Sequence, residues 1–204
     1  MLVVDDDAVL LATVARVLTR KGHDVETYAT PREVLDRARP EPSSCVLLDI
    51  EMPELSGLDL QDLLGRAASP PAVVFMTAHA DVPAAVRAMK GGSVDFLQKP
   101  FDNEDLLAAV AAALRRGAER AAARAAQAAA VERLASLTPR EREVCELVAA
   151  GKKNREIAAV LGMAESTVGL HRARVMKKVG AASAVELGLL VERARGRRGP
   201  SSAG

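Results

Sequence analysis

Tryptophan is absent, and with one Tyr and three Phe the aromatic share is 2%. Single-stranded nucleic acid is usually gripped by stacking bases on aromatic side chains, so that class of partner is not expected. Cysteine is scarce too. Cys45 and Cys145 stand 100 positions apart among apolar neighbours. They read as two buried thiols of a reducing compartment, not as a disulfide framework. No apolar run approaches the roughly 20 residues that span a bilayer. The start, Met1-Leu2-Val3-Val4-Asp5-Asp6, lacks the basic and long apolar stretches of a signal peptide. A cytoplasmic chain with no membrane partner is expected. His23, His79 and His171 share no spacing that suggests a metal site. His79 reads as a surface histidine.

Net charge is nearly absent as well. The 204 residues hold 28 basic and 27 acidic side chains, a formal +1. The balance is an average of two unlike halves. Residues 1–115 hold 11 basic and 18 acidic side chains, a net −7, and residues 116–204 hold 17 and 9, a net +8. An acidic half can hold a cation, and a basic half can face a polyanion.

The first half alternates short apolar runs with helical patterns. Leu2-Val3-Val4, Val25–Tyr28, Cys45–Leu48, Val73–Met76 and Val94–Leu97 read as strands. Helices are expected over Ala8–Lys21, from Thr30-Pro31-Arg32-Glu33 as a capping box, over 58–65, from about Asp81 to Lys90, and after Lys99-Pro100 under an Asp102 cap. Only four residues precede Asp5, so the first strand is short. Five βα units with fully apolar strands argue a parallel sheet covered on both faces. The expected fold class is α/β, a doubly wound flavodoxin-like (βα)5 unit with strand order 2-1-3-4-5. Such a sheet binds ligands at the carboxyl ends of its strands, where the strand order reverses.

The second half is helical throughout. Residues 108–130 contain 14 alanines, which continues the fifth helix toward residue 135, with Gly117 as a candidate break. Arg116, Arg120 and Arg124 form a stripe that reads as a solvated face. Thr138-Pro139-Arg140-Glu141 is a second capping box, and Gly151 ends its helix. Asn154 is expected to cap a short helix, Gly162 to make a turn, a third helix to run over Glu165–Val179, and Ser183 to cap the last one. The domain reading is 1–115, a helical linker 116–136, a four-helix domain 137–195 and a disordered tail 196–204.

Chemistry gathers at the strand ends. Asp5 and Asp6 close the first strand and Asp49 the third, and the order 2-1-3-4-5 makes these strands neighbours. Three converging carboxylates repel unless a hard cation such as Mg²⁺ sits among them. Thr77 ends the fourth strand and Lys99 follows the fifth. Three acids, a hydroxyl and an ammonium suit phosphoryl transfer to a carboxylate. Asp7 reads as a helix cap.

The segments Val3-Val4-Asp5-Asp6-Asp7, Leu48-Asp49-Ile50-Glu51-Met52-Pro53-Glu54-Leu55-Ser56-Gly57, Met76-Thr77-Ala78-His79 and Asp95-Phe96-Leu97-Gln98-Lys99-Pro100-Phe101 resemble the receiver domain of bacterial two-component response regulators. The resemblance implies that Asp49 is the phosphoacceptor. Asp5, Asp6, Asp49 and the Glu51 backbone carbonyl would hold Mg²⁺, and Lys99 would contact the phosphoryl group. Thr77 and Phe96 would be the switch pair, and Lys99-Pro100 would be cis.

In the basic half, the two helices around Gly162 have helix-turn-helix spacing. Val168, Val175 and Val179 read as the buried side of the second. Arg172, Arg174, Lys177 and Lys178, with Lys152, Lys153 and Arg155 one helix earlier, are candidate phosphate contacts. Leu137–Val144, Asn154–Ala158, Leu161-Gly162 and Ser166–Met176 look like the LuxR-type four-helix DNA-binding domain. Paired with a receiver, they resemble the FixJ-like subgroup. The implied DNA-binding set is Lys152, Lys153, Asn154, Glu165, Ser166, Thr167, Gly169, Leu170, Arg172, Ala173, Arg174 and Lys177, with Leu187, Leu190 and Val191 as the dimer contact. The resemblance implies that Gly169, Leu170 and Ala173 are the base-facing positions, where they would offer poor hydrogen-bond readout, although Leu170 could meet a thymine methyl group.

The expected function is a transcription regulator switched by phosphorylation. A histidine kinase donates to Asp49, and the chain then dimerises and binds duplex DNA, with RNA polymerase as a further partner. Two rivals stay open: a constitutive DNA binder with a vestigial receiver, and an aspartyl phosphatase. The reading favoured here is not an enzyme.

Overall fold

Apolar runs without polar alternation need cover on both faces, and these strands have it. A computed structural model of the chain describes residues 1–38, 44–67, 69–78 and 82–196. The expected helix start at Asp81, the reading of His79 and most of the expected tail, 197–204, lie outside the described residues. The chain forms two compact units, Met1–Ala122 and Ala123–Gly204.

In the first unit, β1 (Leu2–Val4), β2 (Glu26–Tyr28), β3 (Cys45–Asp49), β4 (Ala72–Thr77) and β5 (Asp95–Gln98) make one sheet ordered β2-β1-β3-β4-β5. All neighbouring pairs are parallel. Between them run α1 (Ala8–Arg20), α2 (Pro31–Arg37), α3 (Gly57–Gly65) and α4 (Val82–Lys90), and α5 (Asn103–Ala135) follows. The expected fold class is borne out. β1 has three residues, yet it pairs with both neighbours in register. β5 starts one residue later than expected.

The period of two divides the core between the faces. Val3, Leu47, Val74 and Met76 pack with Leu11, Val14 and Leu18 of α1 and Leu106 and Val110 of α5. Val4, Val46, Leu48 and Phe75 pack with Val34 of α2, Leu58 and Leu60 of α3 and Ala88 of α4. Cys45 is buried and free, and burial pushes its thiol up to about 12.

α5 runs unbroken through Gly117, and the expected boundary after residue 115 lies inside it. One glycine costs about 1 kcal/mol against alanine, too little to stop a run of good helix formers. The α2 capping box is only half made. Thr30 accepts from the Glu33 N–H at 3.3 Å, but the Glu33 carboxylate reaches the Ala29 N–H at 3.1 Å instead of that of Thr30.

The second unit contains α6 (Pro139–Ala149), α7 (Asn154–Leu161), α8 (Glu165–Val179) and α9 (Ala184–Ala194). Their shared core holds Val144, Val148, Ile157, Val168, Val175 and Val179. It also holds Leu187, Leu190 and Val191, at 0%, 9% and 5% exposure. Those side chains already have apolar partners inside their own unit, and the outward apolar residues of α9 are Val185 and Leu189. The expected cap at Asn154 is corrected. Asn154 is the first residue of α7, behind Lys153, whose backbone N–H donates to Glu156 at 2.8 Å.

The α6 capping box is complete. Glu141 accepts from the Thr138 N–H at 2.9 Å, and Thr138 accepts from the Glu141 N–H at 3.3 Å. Glu141 is 4% exposed and also accepts from Lys178 Nζ at 2.7 Å. Those bonds, the one from Lys178 first, hold its carboxyl down to about 2 from its ordinary 4.5. A depressed folded-state value gives stability that is present above the unfolded value and lost as pH falls through the folded one. Glu141→Gln should therefore lower the melting temperature at neutral pH. The gap to wild type should close between about pH 4.5 and about 2, as read by thermal melts across that range.

α8 begins without a cap. Ala164 has extended backbone (φ −69°, ψ 145°) and no side-chain bond to the helix start. Ser fits that backbone and can accept from the Thr167 N–H. Ala164→Ser should stabilise the unit by about 1 kcal/mol, about 5 °C in a melt of so small a unit. An unchanged melt would show that the helix start is already satisfied.

Candidate functional site

The register Val4↔Leu48 makes the residues that follow, Asp5 just past β1 and Asp49 at the end of β3, neighbours at the carboxyl edge of the sheet. Asp5 is 0% exposed and Asp49 5%. Asp6 is exposed, and one carboxylate oxygen of each of the three lies within 4.8 Å of the others. Lys99 bridges the buried pair. Its Nζ lies 2.7 Å from Asp5 Oδ2 and 2.8 Å from Asp49 Oδ2. Lys99 is placed there by the end of β5, where its N–H donates to the Thr77 carbonyl at 2.7 Å. The Lys99-Pro100 bond is cis, as expected.

The electrostatics follow from burial. Desolvation pushes the Asp5 carboxyl up, the bonds from Lys99 and the Asp7 N–H pull the other way, and the charge of Asp49 adds to the rise. Burial opposes the Lys99 ammonium, but its bonds to Asp49 and Asp5 win and hold its pKa above the ordinary lysine value. Three carboxylates against one ammonium leave two negative charges in a small volume. An all-oxygen donor set with that charge fits a hard divalent cation such as Mg²⁺.

The surrounding residues fall as follows. Asp7 stands apart as the α1 cap, accepting from Val9 N–H and Leu10 N–H at 2.8 and 3.2 Å. Thr77 is buried at the end of β4. Phe96 is half-buried, opposite Phe75 in the ladder. The Glu51 N–H donates to Asp49 Oδ1 at 3.3 Å, so the loop after β3 orients the carboxylate it follows. That loop turns sharply at Glu54 (φ 68°), where the Leu55 N–H reaches the Pro53 carbonyl at 2.8 Å.

Gly57 is the residue that sequence reasoning left without a role. A Cβ on it would stand 2.0 Å from the Asp49 carbonyl oxygen. The start of α3 lies directly against the backbone that carries Asp49, and the Gly57 N–H donates to the Ile50 carbonyl at 3.0 Å.

In the basic half, α7 ends at Gly162 in the left-handed region (φ 63°), and α8 turns away. Val168, Val175 and Val179 face the core as expected. Glu165, Ser166, Thr167, Ala173, Arg174 and Lys177 are exposed, and Leu170 is 52% exposed. Gly169 and Arg172 are half-buried. Lys153 and Arg155 are exposed, and Lys152 pairs with Glu156 at 3.2 Å. Arg172 donates through Nη1 to Asn154 Oδ1 at 3.1 Å, linking α8 to the start of α7. Lys178 is bonded to buried Glu141 at 2.7 Å. No helix among the described residues is long and apolar enough to cross a membrane.

Residues 1–111 match the family described as response regulator receiver domain, and residues 135–191 match bacterial regulatory proteins, luxR family. Nodulation protein W of Bradyrhizobium diazoefficiens is 42% identical over 91% of this chain and 82% of its own length. The transcriptional regulatory protein FixJ of Azorhizobium caulinodans is 41% identical over 91% of this chain and 88% of its own. Among solved structures, the response regulator StyR superposes with a TM-score of 0.80 at 41% identity, covering 94% of this chain and 97% of that one. Full-length FixJ from B. japonicum gives 0.57 at 37% identity, covering 97% of each.

Proposed function

The chain belongs to the response regulators that join a receiver domain to a LuxR-type DNA-binding domain, and from that premise we propose how its own residues perform phosphorylation-controlled regulation of transcription. The observation that carries the reading is Lys99 Nζ, 2.7 and 2.8 Å from Asp5 and Asp49, with Asp6 completing the acidic cluster. A histidine kinase supplies a phosphohistidine. An Asp49 oxygen attacks its phosphorus. The O–P bond forms as the P–N bond breaks, and the imidazole nitrogen keeps the electron pair and takes a proton from solvent. Asp5, Asp6, Asp49 and the Glu51 carbonyl would hold Mg²⁺, which when bound neutralises phosphoryl oxygens. Lys99 is already at the acceptor oxygen and turns its ammonium to the transferred group.

About two added negative charges beside buried Thr77 favour a new arrangement of Thr77 and of Phe96 on the next strand. The receiver is assigned to 1–115, the linker to 116–136 and the DNA-binding domain to 137–195. The exposed set on α7 and α8 meets duplex DNA in the cytoplasm. A homodimer is assigned to the outward face of α9, at Val185 and Leu189. The chain acts as a switch, and sustained turnover of small phosphate esters would count against that.

The test is DNA affinity measured with and without acetyl phosphate in the presence of Mg²⁺. Couplings of this kind run to about 5–150-fold, and a rise in that range is expected. Equal affinity with and without donor would favour the constitutive binder.

A further inference from the structure

The middle of α8 presents Gly169, Leu170 and Ala173, and none of these side chains can hydrogen-bond. Hydrogen-bond readout of base edges needs donors or acceptors at that surface. The structure supplies one from the neighbouring helix. A Cβ at Gly169 would meet only Asn154 Nδ2, at 3.9 Å, with nothing else within 4 Å. The missing side chain therefore leaves the Asn154 amide standing at the recognition face. The amide is also oriented. Arg172 carries only donors, so the atom it touches at 3.1 Å is the Asn154 oxygen. The Asn154 Nδ2 donors then point away from Arg172 and have no hydrogen-bond partner among the described residues. Positions 169 and 172 lie three apart on α8, on one face of the helix.

We infer that Asn154 is a base-reading residue of this chain: its amide reaches past Gly169, held in orientation by Arg172, to donate to an acceptor on a base edge of duplex DNA. The inference rests on the DNA-binding reading above. The chemistry sought is an acceptor oxygen or nitrogen, and duplex DNA offers it on base edges and on phosphates. A base contact changes the preference among sequences. A phosphate contact from a neutral amide changes affinity for every sequence alike.

The experiment uses the full chain with acetyl phosphate and Mg²⁺. The wild type is first used to enrich a duplex from a random-sequence pool. Binding is then compared between that duplex and a scrambled one of the same composition. Asn154→Ala should lower the ratio of the two affinities by about tenfold, the loss falling mainly on the enriched duplex. Gly169→Met should lower the same ratio by covering the amide while keeping a good helix former. It also keeps the question testable if the Asn154 variant folds poorly. An unchanged ratio in both variants overturns the inference. So does an equal loss on both duplexes, which would assign Asn154 to phosphate. A wild-type chain that enriches no sequence overturns the DNA-binding reading itself.

Discussion

Asp49→Asn is expected to reduce phosphoryl labelling of the chain to background and to remove the whole donor-dependent rise in DNA affinity. Asn has the shape of Asp and can still accept from Lys99 Nζ, now 2.8 Å from Asp49 Oδ2. What it lacks is the anionic oxygen that attacks phosphorus. The fold should survive, because Lys99 keeps Asp5 at 2.7 Å and one of two mutually repelling buried carboxylates is gone. Loss of labelling with an unchanged melting temperature thus reports chemistry and not unfolding. The measurement pairs radiolabelled acetyl phosphate with a DNA titration. The expected change is from about 5–150-fold stimulation to none. A variant that still labels would move the acceptor elsewhere, and Asp6, the exposed member of the cluster, would be the first place to look.

How far the sequence led depends on what each feature requires. The strands were legible because two-sided burial leaves runs such as Cys45–Leu48 with no polar residue. Asp5, Asp49 and Lys99 are 94 and 50 positions apart along the chain. Only the strand order brings them together, and the alternation of βα units implies a doubly wound parallel sheet without itself fixing that order. The α9 stripe shows the opposite limit. Helical periodicity identifies Leu187, Leu190 and Val191 as an apolar face, but it does not say whether the chain itself or a second copy covers that face. Here α9 packs them into the core of their own unit. Charges are similar. Lys178 and Lys177 are adjacent and identical in composition, yet one lies against buried Glu141 and the other faces solvent. Asn154 read as a cap because its residue type favours caps. Its side chain instead serves Arg172, and Lys153 occupies the cap position.

Gly57 was the residue least open to sequence reasoning, and Gly57→Ala carries the second large effect. A glycine after Ser56 reads only as a helix start. Its real constraint is a contact with Asp49, and nothing in the local pattern announces it. An added Cβ would stand 2.0 Å from the Asp49 carbonyl oxygen, 2.9 Å from its carbonyl carbon and 3.1 Å from Leu48 Cγ. Two of those atoms are backbone of the central strand, so no side-chain rotation relieves the clash. α3 must move outward, or the end of β3 must give way. The loop between them is already tightly turned at Glu54 and held by the Gly57 N–H bond to the Ile50 carbonyl. We expect a loss of about 3 kcal/mol, at the upper end of ordinary overpacking. The rate of phosphoryl uptake by the folded fraction should also fall, because relief of the clash displaces the residue that carries the acceptor. Gly65 at the other end of the same helix is the control. A Cβ there meets nothing within 4 Å, so Gly65→Ala should be neutral or stabilising by up to about 1 kcal/mol. Denaturant unfolding of the two variants separates helix propensity from contact. If both shifted stability in the same direction, the close approach of α3 to Asp49 would not be what fixes the acceptor in place.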